Sequence, residues 1–194
     1  MRKGRRNLQV LLVGAILMIV AMSVAFAALS TTLNITANTV KNSTTVTWNI
    51  GFQGSSATAT VGGTSATGRV CGDATITPTT VTVATTTLSK PDDSCTYALT
   101  IKNSGTITGT LANITQTKPS GVTCSGSTSS MVCGNITYKL TTDSDGQVAL
   151  TTGGTLAANA TRTVYLVIKY TGTELSSTAI SQSAAAFGIT YNQT

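Results

Sequence analysis

Between Ser94 and Asn103 the side chains alternate without a break: Cys95, Tyr97, Leu99 and Ile101 fall on one side, and Ser94, Thr96, Ala98, Thr100 and Lys102 on the other. Period two is the signature of a strand with one buried face, and no helix can sort these residues. Lys90-Pro91-Asp92-Asp93 before it reads as a turn, because proline fixes its own φ and pushes the preceding residue out of the helical region. Asn103-Ser104-Gly105 after it supplies residues that tolerate positive φ. The spacing therefore predicts a β-hairpin from Leu88 to Leu111, returning near Thr106. Two strands cannot bury such a face alone, so further strands must cover it.

The remaining chain supplies them. In 194 residues, 41% are hydrophobic and only 9% charged, enough apolar material for one buried core. Thr and Val are abundant, and their branched Cβ favours the pleated backbone. Leu29, Thr31, Leu33 and Ile35 share one face of a first strand, and Val46, Trp48, Ile50 and Phe52 repeat the pattern with the single tryptophan facing the core. Gly54–Gly68 reads as a loop or a weak edge hairpin. Asp73–Thr77 and Thr80–Thr86 are short strands broken at Pro78, with Val81 and Val83 inward. In Thr108–Thr115, Leu111 and Ile114 fall out of period and indicate a bulge. Pro119–Met131 reads as a loop, Asn135–Thr141 as a strand and Thr142–Gly154 as a polar connection. Ala160–Tyr170 is apolar on both faces and reads as a central strand. Leu175–Ala186 suits a short helix or a crossing loop, and Phe187, Ile189 and Tyr191 a closing strand. The fold class expected is all-β, a two-sheet sandwich of eight to ten short strands.

The first thirty residues differ from this pattern. Arg2, Lys3, Arg5 and Arg6 precede an apolar run from Val10 to Val24, and Ala25-Phe26-Ala27 offers small residues for signal peptidase, which places cleavage between Ala27 and Ala28. The domains expected are thus a signal peptide, 1–27, and a β-sandwich, 28–194. If the segment is retained, the run extended to Leu29 is about twenty residues, enough to anchor the chain in a membrane. A pilin-type cleavage at Gly4 fits poorly, since Arg5 and Arg6 stand where apolar residues belong. Every one of these readings puts the domain outside the cytoplasmic membrane. The formal charge of +6 is concentrated in the same segment. Past residue 27 there are eight basic and six acidic residues, a net of about +2, so nucleic acid is not an expected partner.

Cys71, Cys95, Cys124 and Cys133 are an even set in an exported chain. Of the three possible connectivities, Cys124 with Cys133 closes a local loop, and Cys71 with Cys95 ties the Gly-rich region to the central strand. Four buried thiols are the alternative. With no CxxC pair and no histidine, a zinc site or redox motif is not expected. The missing histidine also removes Ser/His/Asp and Cys/His catalysis. The carboxylates, Asp73, Asp92, Asp93, Asp143, Asp145 and Glu174, fall in turns and loops. Asp92-Asp93 and Asp143-x-Asp145 have calcium-ligand spacing, but turn formation is the simpler reading. No cofactor and no enzymatic activity are expected. Asn-x-Ser/Thr triplets begin at Asn34, Asn42, Asn113, Asn135, Asn159 and Asn192. Many such triplets arise by chance in a chain this rich in Thr, and they mean glycans only in a host with that machinery.

The export site FAALSTTLNITA, the central LSKPDDSCTYALTIKNSGTITGTL and the terminal Phe-x-Ile-x-Tyr-x-Gln strand resemble the TasA and camelysin family of exported proteins. That resemblance implies a jelly-roll sandwich, a dedicated signal peptidase, an extracellular location and, as in biofilm members, polymerisation in which the N-terminal strand of one subunit completes the sheet of the next. Here that strand carries Leu29, Leu33 and Ile35, and the partner is another copy of the chain. Camelysin is described as a metalloprotease, an activity the absence of histidine opposes, and four cysteines also depart from the family pattern. The function expected is a secreted or cell-surface matrix fibre subunit. The alternative is a surface adhesin held in the membrane by an uncleaved N-terminal helix. The C-terminal YNQT shows neither a sorting motif nor an apolar tail, so sortase attachment is not expected.

Overall fold

Fifteen strands run through residues 46–63, 69–84, 86–88, 90–173 and 185–194, which the computed structural model of the protein describes and which lie within a unit spanning Thr32–Thr194. In chain order they are β1 (Ile50–Phe52), β2 (Ser56–Ala57), β3 (Thr60–Gly62), β4 (Val70–Cys71), β5 (Ala74–Ile76), β6 (Val81–Val83), β7 (Thr86–Thr87), β8 (Ser94–Asn103), β9 (Gly109–Thr117), β10 (Cys124–Ser127), β11 (Ser130–Cys133), β12 (Ile136–Thr141), β13 (Thr155–Leu156), β14 (Thr161–Tyr170) and β15 (Ala186–Gln193). Among the described residues every regular element is a strand, and no helix is long and apolar enough to cross a membrane. A second unit, Met1–Thr31, lies outside the described residues, and so do residues 174–184, where a helix or crossing loop was expected.

The largest sheet follows the order β1-β8-β14-β12-β11-β10, with β3 also on β8. Its registers line up one apolar face. Leu99 stands opposite Val164, Tyr97 opposite Leu166 and Cys95 opposite Ile168; Leu140, Tyr138 and Ile136 continue the rows, and Met131 and Cys133 end them. The small sheet β13-β9-β15 brings Leu156, Leu111, Ile114, Ile189 and Tyr191 to the same buried cluster, and the sheet β2-β5-β6 adds Ala74 and Ile76. Separate sheets sharing one core make the fold sandwich-like. Each fully buried Leu or Ile contributes about 1.5–3 kcal/mol from area removed from water.

The segment from Leu88 to Leu111 is not a hairpin. Both edges of β8 are taken, one by β14 and the other by β1 and β3, while β9 belongs to the small sheet. The chain after Asn103 pairs with residues 47–49 instead of turning back: the Ser104 N–H donates to Asn49 O at 2.7 Å and the Thr106 N–H to Thr47 O at 2.9 Å. Asn103, the next inward position after Ile101, is fully buried. Its amide donates to Ile107 O (2.7 Å) and Leu156 O (3.0 Å) and accepts the Gly105 N–H (3.0 Å). One side chain thus replaces the ladder at the point where the chain crosses between sheets. Gly105 is required there, since a Cβ would collide with Thr47 O.

Three further expectations are corrected. Pro119–Met131 is not all loop: β10 and β11 form a hairpin in which Cys124 stands opposite Cys133. The Ser- and Gly-rich sequence hides it because Met131 and Cys133 alone supply the inward face. In Gly54–Gly68, β2 and β3 are strands of different sheets, not partners in a hairpin; residues 64–68 lie outside the described set. The strands also number more than eight to ten, and the sheets more than two, because short β2–β7 pieces close the flank. Elsewhere the bulge in β9 falls at Ala112, where the register with β15 shifts between Thr190 and Tyr191. β14 is central, and Val167 is buried with Gly146 beside it.

The cysteines pair as the spacing favoured. Cys71–Cys95 joins β4 to β8 across sheets (Cα–Cα 5.7 Å, 24 residues apart), and Cys124–Cys133 pins the hairpin (4.2 Å, 9 apart). Chain-entropy arguments assign about 3.5 kcal/mol to the longer loop and about 2.7 to the shorter. Urea denaturation should therefore show Cys71→Ala/Cys95→Ala to be more destabilised than Cys124→Ala/Cys133→Ala; the reverse order would mean that the cross-sheet bridge is not the main constraint. Asn103→Ala leaves three backbone groups without their partner and should cost about 2–4 kcal/mol, against under about 0.5 for exposed Ser104→Ala, read as midpoints at equal m-value.

Candidate assembly edge

A strand with one neighbour exposes N–H and C=O groups to any passing chain, so β proteins close their edges by side chains, turns or partners. Four of the edges are met in this way. On β10, Gln116 donates to Ser127 O and to Ser130 O (3.2 Å), and Lys118 Nζ donates to Cys124 O (3.2 Å). On β1 the Phe52 N–H donates to Pro78 O (2.9 Å), which brings the β5–β6 turn against it. On β3 the Arg69 guanidinium donates to Gly62 O (2.6 Å). On β13, Leu156 O is taken by Asn103.

β15 differs. Its eight residues pair with β9 on one side, and among the described residues it is the longest strand with a single neighbour. Ile189 and Tyr191 point into the core and Phe187 is half-buried, so this edge borders the rim of the apolar core. Burial raises the Tyr191 phenol above its ordinary value, and the Arg162 guanidinium pulls it down by less. Tyr97 is raised mainly by burial as well, and its hydroxyl donates to Gly72 O at 2.7 Å. These phenols are neutral packing groups with polar tips.

Asp93 and Asp143 hold backbone. Asp93 is fully buried: its carboxylate accepts the Lys90 N–H at 3.0 Å and lies 3.5 Å from Arg69. With Pro91 second and Asp92 at φ 70° third, Lys90–Asp93 is a type II turn. Asp92 itself pairs with Lys169 at 2.8 Å on the surface. Asp143 accepts the Val148 and Gln147 N–H groups at 2.8 and 3.0 Å. Among the described residues no three His, Cys, Asp or Glu side chains gather as a metal site. Ala25, Ala27 and Ala28 of the cleavage site and Leu29, Leu33 and Ile35 of the expected assembly strand lie outside the described residues. The side-chain caps on β10 join residues 6 to 14 apart, a separation at which no periodic pattern pairs a side chain with a carbonyl.

The fold and its edges define a disulfide-stapled, all-β, sandwich-like domain. Compared with protein-family models, curated proteins and solved structures, the chain matches none.

Hydrogen bonds from Val148 and Gln147 lower the Asp143 pKa. A depressed carboxylate favours the folded loop above the unfolded pKa, and that contribution disappears as pH falls through the folded value. NMR amide shifts of Gln147 and Val148 should titrate together with a midpoint below the ordinary aspartate value, and Asp143→Asn should flatten both curves.

Proposed function

We propose that this chain is an exported, non-enzymatic subunit of an extracellular fibre, a jelly-roll sandwich of the kind the TasA and camelysin resemblance implies. It leaves the membrane by cleavage between Ala27 and Ala28, and its partner is the next copy of itself. The single observation that carries the reading is the β15 edge: eight residues long, one-sided among the described residues, and bordering the core, whereas side chains meet the edges of β10 and β3. Its occupant is the 28–36 segment of a neighbouring copy, in which Leu29, Leu33 and Ile35 alternate with polar residues. Three aliphatic side chains entering an apolar groove contribute roughly 1.5–3 kcal/mol each before ordering costs, and main-chain hydrogen bonds add to this.

Purified mature protein should start at Ala28 and form filaments by electron microscopy. Deleting 28–36 should leave a soluble folded monomer, and Leu33→Asp should weaken association at least tenfold with the thermal transition unchanged. Filaments as abundant in the deletion variant as in the mature protein would rule out this strand as the connector.

A further inference from the structure

Six of the ten asparagines begin an Asn-x-Thr triplet, where roughly two would by chance in a chain that is about one-fifth Thr. The four that fall in the described residues, Asn113, Asn135, Asn159 and Asn192, are all exposed. Exposure is not sufficient, because transfer of a sugar to such a triplet requires the amide and the hydroxyl two residues on to be gripped together.

The four sites differ in this respect. Asn113 and Asn192 lie within paired strands, opposite Thr190 and Thr110, so their backbone is committed to the ladder. Asn135 follows Gly134 (φ 58°) in the β11–β12 turn, but its Thr137 is only 6% exposed and its hydroxyl lies 3.3 Å from that of Thr171. Asn159 is the one of the four whose asparagine lies in a turn while its Thr161, the first residue of β14 opposite Lys102, keeps an exposed side chain. It sits at φ 61° in a turn closed by the Ala160 N–H on Ala157 O (3.1 Å), and both its side chain and Thr161 are exposed. The middle residue, Ala160, is held from behind, its carbonyl accepting the Asn103 N–H at 3.0 Å. The triplet thus joins an exposed turn to the first residue of β14, with its middle residue anchored by two backbone hydrogen bonds.

We propose that Asn159 is an N-glycosylation site, modified on the folded domain after export. The donor is a saccharide linked through phosphate to a lipid. Asn159 Nδ2 bonds to the anomeric carbon, the bond from that carbon to the phosphate oxygen breaks, the lipid phosphate leaves and one amide proton passes to the transferase base. The inference rests on the proposed export. It does not require the fibre.

The test is peptide mass mapping of the protein made by its own cells, with the N-terminus sequenced in the same sample. Protein starting at Ala28 should carry a saccharide mass on the Asn159 peptide, at an occupancy no lower than on Asn113, Asn135 or Asn192. Asn159→Gly, which keeps the positive φ, and Thr161→Val should each be lighter by that mass, with Thr161→Ser restoring it and the thermal transition unchanged throughout. Exported protein with a bare Asn159 peptide overturns the site and leaves export standing. Protein found only inside the cell with residues 1–27 intact overturns both.

Discussion

Burial of one face of β8 is the constraint on which the other elements depend. Cys95, Tyr97, Leu99, Ile101 and Asn103 are all at most 3% exposed, and strands pair along both of their strand's edges. A ten-residue strand committed on both edges and one face leaves its chain one exit, toward the other side of the core. The Asn103 amide makes that exit possible by satisfying three backbone groups where no ladder reaches. A polar residue in the middle of a core is tolerable only on those terms.

The bridges and the edge caps act on the same problem from different sides. The flank built from β2–β7 is made of strands two or three residues long, too short to hold themselves by hydrogen bonds, and Cys71–Cys95 ties it to the strongest strand in the fold. At the far side of the large sheet, Cys124–Cys133 fixes the register of a hairpin whose sequence specifies it weakly. Gln116 and Lys118 then occupy carbonyls at the margin of that hairpin. β15, by contrast, has one neighbour among the described strands.

Polar chemistry in this molecule is directed at its own main chain. Asp93 and Asp143 accept N–H groups of their own turns, and Arg69 meets both Asp93 and a carbonyl of β3. Such groups give the loops fixed shapes without large apolar contacts. The same economy holds at Asn159, where a turn built from small residues displays its amide on a rigid base.

Alternation alone identified β8, β14 and β15, because a strand with one wet face or two dry ones writes its burial directly into residue order. Loop closure also pointed to the two cysteine pairs, since one is local and the other joins a turn-rich flank to the central strand. Two readings of the sequence were overturned and one feature left no trace in it. Asn103-Ser104-Gly105 is as compatible with a tight turn as with a crossing, and the choice depended on which strand had already filled the edge of β8. The β10–β11 hairpin was hidden because four-residue strands carry too few inward positions to show a period. The β10 caps and the buried Asp93–Arg69 pair join residues from 6 to 24 apart in sequence, and such proximity is set by packing. Sequence by itself determined which residues seek the core; the tertiary structure decided which edge each strand found, because backbone groups are identical along every strand and only the competition among them assigns partners.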